Sequence, residues 1–177
     1  MGQYYSAVNI DKKEYLSPGD YNTFNKLMEH SYVGNEFVDA GVNLLAKEWK
    51  GDRIVWAGDY GDEGLFTPLG YENNLYRYAV DTFARIENAD IRSTKQYKYI
   101  CNEDTKMFVN LKGLPKDTDD YVIHPLPLLT ASGNGRGGGD YHGADENLCG
   151  YWAADHIFVS GTVPDGYTEF VVHFVEE

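Results

Sequence analysis

The stretch QYKYIC at residues 96–101, followed by NEDT at 102–105 and KMFVNL at 106–111, decides the fold class. Tyr97, Tyr99 and Cys101 alternate with Gln96, Lys98 and Ile100, which is the two-residue period of a strand. The polar NEDT segment then reads as a hairpin loop. Two further runs continue this pattern: DHIFVSG at 155–161 and YTEFVVHFV at 167–175, expected to pair across VPDG at 163–166. In the last run Phe170, Val172 and Phe174 share one side, as in a half-buried antiparallel strand.

Upstream the period changes to that of helices. Phe24, Leu27 and Met28 suggest a helix over 21–30, with Asp20 of the Ser17-Pro18-Gly19-Asp20 turn as its cap. A second helix is expected over 36–48, capped by Asn35, and a third over 72–88, capped by Asn73 or Asn74. QYYSAVNI at 3–10 and GDRIVWAGD at 51–59 read as strands among them. YVIHPLPLLT at 121–130 reads as extended, at a sheet edge or irregular, because Pro125 and Pro127 lack donors. Helices in the first half and strands in the second predict an α+β fold. Its sheet is mostly antiparallel, with about three N-terminal helices packed on one face. A chain of 177 residues is expected to form a single domain, 1–177.

A block recurs. Trp49, Asp52, Ile54, Gly58 and Asp62 match Trp152, Asp155, Ile157, Gly161 and Asp165 at one offset of 103 residues. Two readings stand: look-alike turn–strand elements, or equivalent strands in a pseudo-symmetric arrangement.

Composition narrows function. With 15 Lys and Arg against 28 Asp and Glu, the formal charge is −13. Scarce, scattered positive charge argues against nucleic-acid binding and against anionic membranes. No apolar run approaches the ~20 residues of a membrane helix. No signal peptide stands out at MGQYYSAVNI, so a cytoplasmic setting is expected. Gly2 and Ser6 fit the M-G-x-x-x-[ST] lipidation pattern, but Ser6 falls inside the opening strand. Cys101 and Cys149 make no zinc spacing; Cys101 reads as a buried thiol.

Four features carry candidate chemistry. Residues 133–139 hold five glycines in seven positions, and Gly133, Gly135 and Gly138 fit G-x-G-x-x-G literally. No helix follows, so a dinucleotide site is not expected. The loop is instead a candidate anion nest with Arg136, or a loop presenting Arg136 and Asp140 to a protein partner. Acidic residues cluster in three loops: Asp59, Asp62 and Glu63; Asp117, Asp119 and Asp120; Asp140, Asp145 and Glu146. None has the order of a calcium loop. His142 and His156 flank the glycine loop and the block after it, near Asp140 and Asp145, without metalloenzyme spacing. The 15 tyrosines, among them Tyr141 and Tyr151, supply amphipathic contact area of the kind found at interfaces.

The blocks MGQYYSAVN, GDRIVWAGDY and GNGRGGGD resemble those of a family of small proteins from bacteria and their phages. There the glycine run precedes a W-x-x-D-x-I-V-x-A-G-D-Y block. Here the run at 133–140 precedes the weaker copy, at 152–161, and the stronger copy lies at 49–60. The resemblance implies a bacterial or phage setting and no particular activity.

The sequence therefore predicts a non-enzymatic acidic binding protein that docks on a basic surface of a protein partner. An inhibitor or accessory factor of a phage or mobile element, acting as anti-CRISPR proteins do, is the expected type. Carboxylates would stand where phosphates otherwise lie. The expected binding residues are Gly135, Arg136, Gly137, Asp140, Tyr141 and His142, with Asp59, Asp62 and Glu63. No catalytic residue, metal or cofactor is expected. The alternative is a nucleotide- or phosphate-binding protein, or a hydrolase, using the Gly133–Asp140 loop with His142 as base.

Overall fold

The computed structural model describes residues 2–134 and 139–175. The chain opens with a hairpin, β1 (Tyr5–Asn9) and β2 (Glu14–Leu16). A one-turn helix α1 (Leu27–His30) and α2 (Glu36–Leu45) lead to β3 (Asp52–Gly58). Helix α3 (Leu75–Thr82) and β4 (Ala84–Arg85) follow, then a second hairpin, β5 (Tyr99–Asn102) and β6 (Met107–Asn110). Helix α4 (Pro125–Thr130), β7 (Ala131–Ser132), a 3-10 turn (Glu146–Leu148), β8 (His156–Ser160) and β9 (Thr168–Glu169) follow. All nine strands join one sheet in the order β4-β2-β1-β3-β8-β5-β6-β9, with β7 beside β3. The long pairings are antiparallel; β4, β7 and β9 add short parallel ones. The α+β class with a mostly antiparallel sheet is therefore what the chain adopts.

The strand order reads the same from either end when β1, β2, β3 and β4 are matched with β5, β6, β8 and β9. The centre of this pseudo-two-fold lies between β3 and β8, where Arg53 pairs with His156. These two residues are themselves 103 apart, so the pair maps onto itself. Gly51 N–H donates to Ile157 O at 2.9 Å, and Ala154 N–H donates to Ile54 O at 2.8 Å. The Trp49 and Trp152 blocks are thus equivalent strands paired with each other. The geometry is that of an isologous dimer interface contained in one chain.

The outer strands extend the correspondence at a different offset, 93 residues (9 to 102, 11 to 104, 13 to 106). Asn9 Nδ2 donates to Asp52, and Asn102 Nδ2 to Asp155, each at 2.9 Å. Asp11 accepts the Arg53 N–H at 2.7 Å, as Asp104 accepts that of His156 at 2.8 Å. Lys13 and Lys106 hold the turns at φ 55° and 57°. Even the edges agree: Ala84 N–H donates to Lys13 O and Thr168 N–H to Lys106 O. Each Asn side chain therefore bridges its hairpin turn to the strand opposite. Removing it by Asn9→Ala or Asn102→Ala strips the turn N–H groups of Lys12 or of Asp104 and Thr105 of their acceptor, at a cost of about 1–3 kcal/mol. Urea unfolding should show similar losses for both. A neutral result at one site with a full loss at the other would mean that the two clamps are not equivalent.

The helix arrangement corrects several expectations. Val55 and Ala57 of β3 pack with Leu75 and Ala79 of α3, while Ile54 and Trp56 pack on the other side with Phe37 and Leu126. Helices therefore cover both faces of the sheet, not one. The unbroken apolar run of β3, buried from Ile54 to Gly58, is the mark of a strand covered on both sides.

The helix expected over 21–30 is a 3-10 turn (Pro18–Tyr21) followed by the single turn of α1. Asn22, left-handed at φ 58°, interrupts it. Asp20 does not cap; it holds the Arg85 guanidinium with two bonds of 2.7 Å. Asn35 and Asn74 cap α2 and α3 as expected, their side chains accepting from Val38 and Arg77 N–H, among others.

Residues 125–130 form a helix where extended chain was expected. Prolines at its first turn lack N–H groups that would have no partner there anyway. The last strand is only Thr168–Glu169, and it pairs with β6 rather than β8. Beyond it, Asp145 takes the His173 N–H at 2.6 Å and its own N–H donates back to His173 O. The backbone is thereby diverted from the sheet while Val172 and Phe174 reach the core.

Candidate binding cleft

Two of the three acidic loops meet in one cleft of about 440 Å³. Asp117 and Thr118 come from the loop before Ile123, and Asp140, Tyr141 and His142 from the segment after the glycine run. Met28, Ile123 and Phe174 add apolar lining beside these polar groups. The tertiary contacts that assemble it are specific. Tyr141 is buried, and its hydroxyl donates to Phe174 O at 2.7 Å while the two rings meet edge to face. Asp140 spends one oxygen on the Met28 N–H at 2.9 Å, which ties the segment to the start of α1. Asp117 accepts the Asp119 and Tyr121 N–H groups at 2.9 and 3.0 Å, a tight turn that leaves Asp119 and Asp120 exposed.

The electrostatics of the cleft register on its neighbours. Burial raises the Tyr32 phenol above its ordinary value, and the carboxylates of Asp117, Asp140 and Asp119 raise it further. Burial likewise pushes up Tyr5, with Asp140 and Asp59 among the contributing charges. Tyr32 lies 5.3 Å from the ring of Tyr121, which is 59% exposed. Aromatic faces beside carboxylates favour a bound cation twice, through charge and through the ring quadrupole.

The remaining predicted residues fall as follows. His142 is exposed, 3.6 Å from Glu146. His156, the cross-strand partner of Arg53, is held by Asp104 at 3.0 Å, as Arg53 is held by Asp11. Asp59 accepts the Tyr4 N–H at 2.9 Å. Its loop abuts the entry to the glycine run: a Cβ on Gly61 would sit 3.4 Å from Ser132 O. Asp62 and Glu63 lie exposed in that loop and do not line the cleft. Gly135, Arg136 and Gly137 lie outside the described residues. At the near edge of the run, Gln3 and Asn134 exchange two hydrogen bonds of 3.1 and 3.2 Å. Met28, Ile123 and Phe174 were absent from the sequence-based expectation, because nothing local marks them.

Among the described residues no three His, Cys, Asp or Glu side chains come together as a metal site. Cys101 and Cys149 are both buried and form no disulfide with each other, and burial pushes the Cys101 thiol up to about 12. No helix among the described residues is long and apolar enough to cross a membrane. No protein-family model matches the chain, no curated protein matches it, and no solved structure matches its fold.

Proposed function

We propose that the protein is a binding module, without catalysis of its own, whose acidic cleft seats a Lys- or Arg-bearing segment of a protein partner. This reading rests on one cleft being lined by both apolar side chains (Met28, Ile123, Phe174) and the carboxylates of Asp117 and Asp140. A long basic side chain has the same two-part character: its methylene stem lies on apolar surface while its charged head reaches carboxylates. Net charge of −13 adds long-range attraction for a basic surface and speeds encounter. An inhibitor of a phage or mobile element that occupies the basic surface of a nucleic-acid-binding partner is the setting this chemistry suits.

The test must separate a site from mere charge. A fluorescent Lys/Arg-rich peptide is titrated by anisotropy against the wild type and two variants that each remove two charges. Asp117→Asn with Asp140→Asn keeps the accepting oxygens and should weaken binding by about tenfold to a hundredfold, roughly 1.4 kcal/mol per lost contact. Asp62→Asn with Glu63→Gln should change it by less than about twofold, a surface-charge effect screened by salt. Equal losses in the two variants would show that the cleft has no special part.

A further inference from the structure

A second cavity, of about 230 Å³, has the opposite character. In a chain with 15 Lys and Arg, Lys95, Lys98 and Lys112 line this one pocket, and among the described residues no acidic side chain does. None of the three ammonium groups is ion-paired with a described carboxylate. Lys112 instead lies 5.3 Å from the ring centroid of Tyr99. All three lysines are exposed, and like charges gathered around one pocket favour an anion within it.

The pocket wall supplies a neutral donor. His124 is 3% exposed and lines the cavity. Its Nδ1 accepts the Leu126 N–H at 3.2 Å, so the ring proton sits on Nε2, and no described group accepts from that atom. Burial holds this imidazole neutral down to about pH 4. Tyr97, Leu111 and Val33 make the remaining walls apolar. The Thr94 hydroxyl is already given to Asp39 at 2.8 Å.

We infer that this pocket binds a small organic carboxylate with a compact apolar body. The carboxylate takes the His124 Nε2–H and the lysine ammonium groups, and the body rests against Tyr97, Leu111 and Val33. At roughly 30 Å³ per water-sized group, the volume accommodates about eight such groups, the scale of a single aromatic ring bearing a carboxylate. A phosphate is the poorer fit. Sites for phosphate use an arginine fork or a row of backbone N–H groups, and no arginine is among the described lining residues.

Benzoate is the probe, titrated into isotopically labelled full-length protein at constant ionic strength. Saturable shifts are expected for the signals of Val33, Tyr97, Leu111 and His124. Lys95→Gln with Lys98→Gln should raise the dissociation constant by about tenfold without altering the rest of the spectrum. His124→Asn, which preserves an acceptor for the Leu126 N–H, should do the same. The absence of saturable shifts into the millimolar range overturns the inference. Equal affinity for inorganic phosphate overturns the carboxylate assignment. Because the cleft at Asp117 and Asp140 is untouched, failure here leaves the peptide titration unaffected.

Discussion

Between pH 6.5 and pH 4 the unfolding free energy is expected to fall by several kcal/mol, driven by two buried histidines. His30 is fully buried; its Nε2 accepts the Trp56 indole N–H at 3.0 Å, which leaves Nδ1 to donate to Phe24 O at 2.9 Å. Burial lowers both His30 and His124 to about 4. In the unfolded chain each takes a proton near 6.5. Throughout the window between those values the unfolded state binds more protons than the fold, so stability is full above 6.5 and drains as pH falls to about 4. The limit is about 3 kcal/mol for each histidine. Asp90, held down to about 2 chiefly by its hydrogen bonds from Arg92, adds its loss only at still lower pH. Urea unfolding across the pH range, repeated with His30→Gln, isolates the effect. The variant's stability should depend less steeply on pH between 5 and 6, by up to about 1.4 kcal/mol per pH unit. An unchanged slope would mean that His30 is not buried in its neutral form.

The second large effect concerns the two tryptophans that mark the duplicated block. Trp49 and Trp152 are each 1% exposed. Truncation of either to Ala should cost about 3–5 kcal/mol through lost burial and the cavity left behind. Their phenylalanine variants should diverge, because the two indoles differ in one bond. The Trp49 N–H donates to Glu14 at 2.9 Å, while that of Trp152 is buried without a partner among the described residues, its ring stacked on Phe170. Trp49→Phe gives up a charge-assisted hydrogen bond, whereas Trp152→Phe removes an unsatisfied donor. The first should cost more by about 1–2 kcal/mol. Equal thermal and urea stabilities for the two variants would contradict the asymmetry. The difference marks one place where the two pseudo-symmetric halves are not equivalent.

Legibility of the fold tracked how local each cause was. The α2 helix could be read because its cap and apolar stripe lie within a few residues, and β3 because its apolar run is continuous. The α4 segment could not: Pro125 and Pro127 carry opposite meanings in a strand and in a first helical turn, and only the buried Leu126, Leu128 and Leu129 resolve the choice. The repeat was half visible. The Trp block recurs at 103 residues, but the hairpin motif of Asn9, Asp11 and Lys13 recurs at 93. The spacing from hairpin Asn to strand Asp is 43 residues in one half and 53 in the other. A search at a single offset finds one block and misses its companion. The cleft was legible only in kind. Acidic loops were evident, yet the meeting of Asp117 with Asp140 depends on Tyr141 and Phe174 locking the final segment against the core. Asp62 and Glu63, as acidic and as exposed, carry no mark in the sequence that sets them apart.

The claim that the Asp117/Asp140 cleft is where a cationic partner docks is tested most directly by locating the bound peptide. Labelled protein is titrated with a Lys/Arg-rich peptide at two salt concentrations while backbone signals are followed. Shifts are expected to concentrate at 117–123 and 139–143, with Met28 and Phe174 moving with them, and to weaken as salt rises. Shifts spread evenly over every acidic loop, with Asp62 and Glu63 moving as much as Asp117 and Asp140, would contradict it.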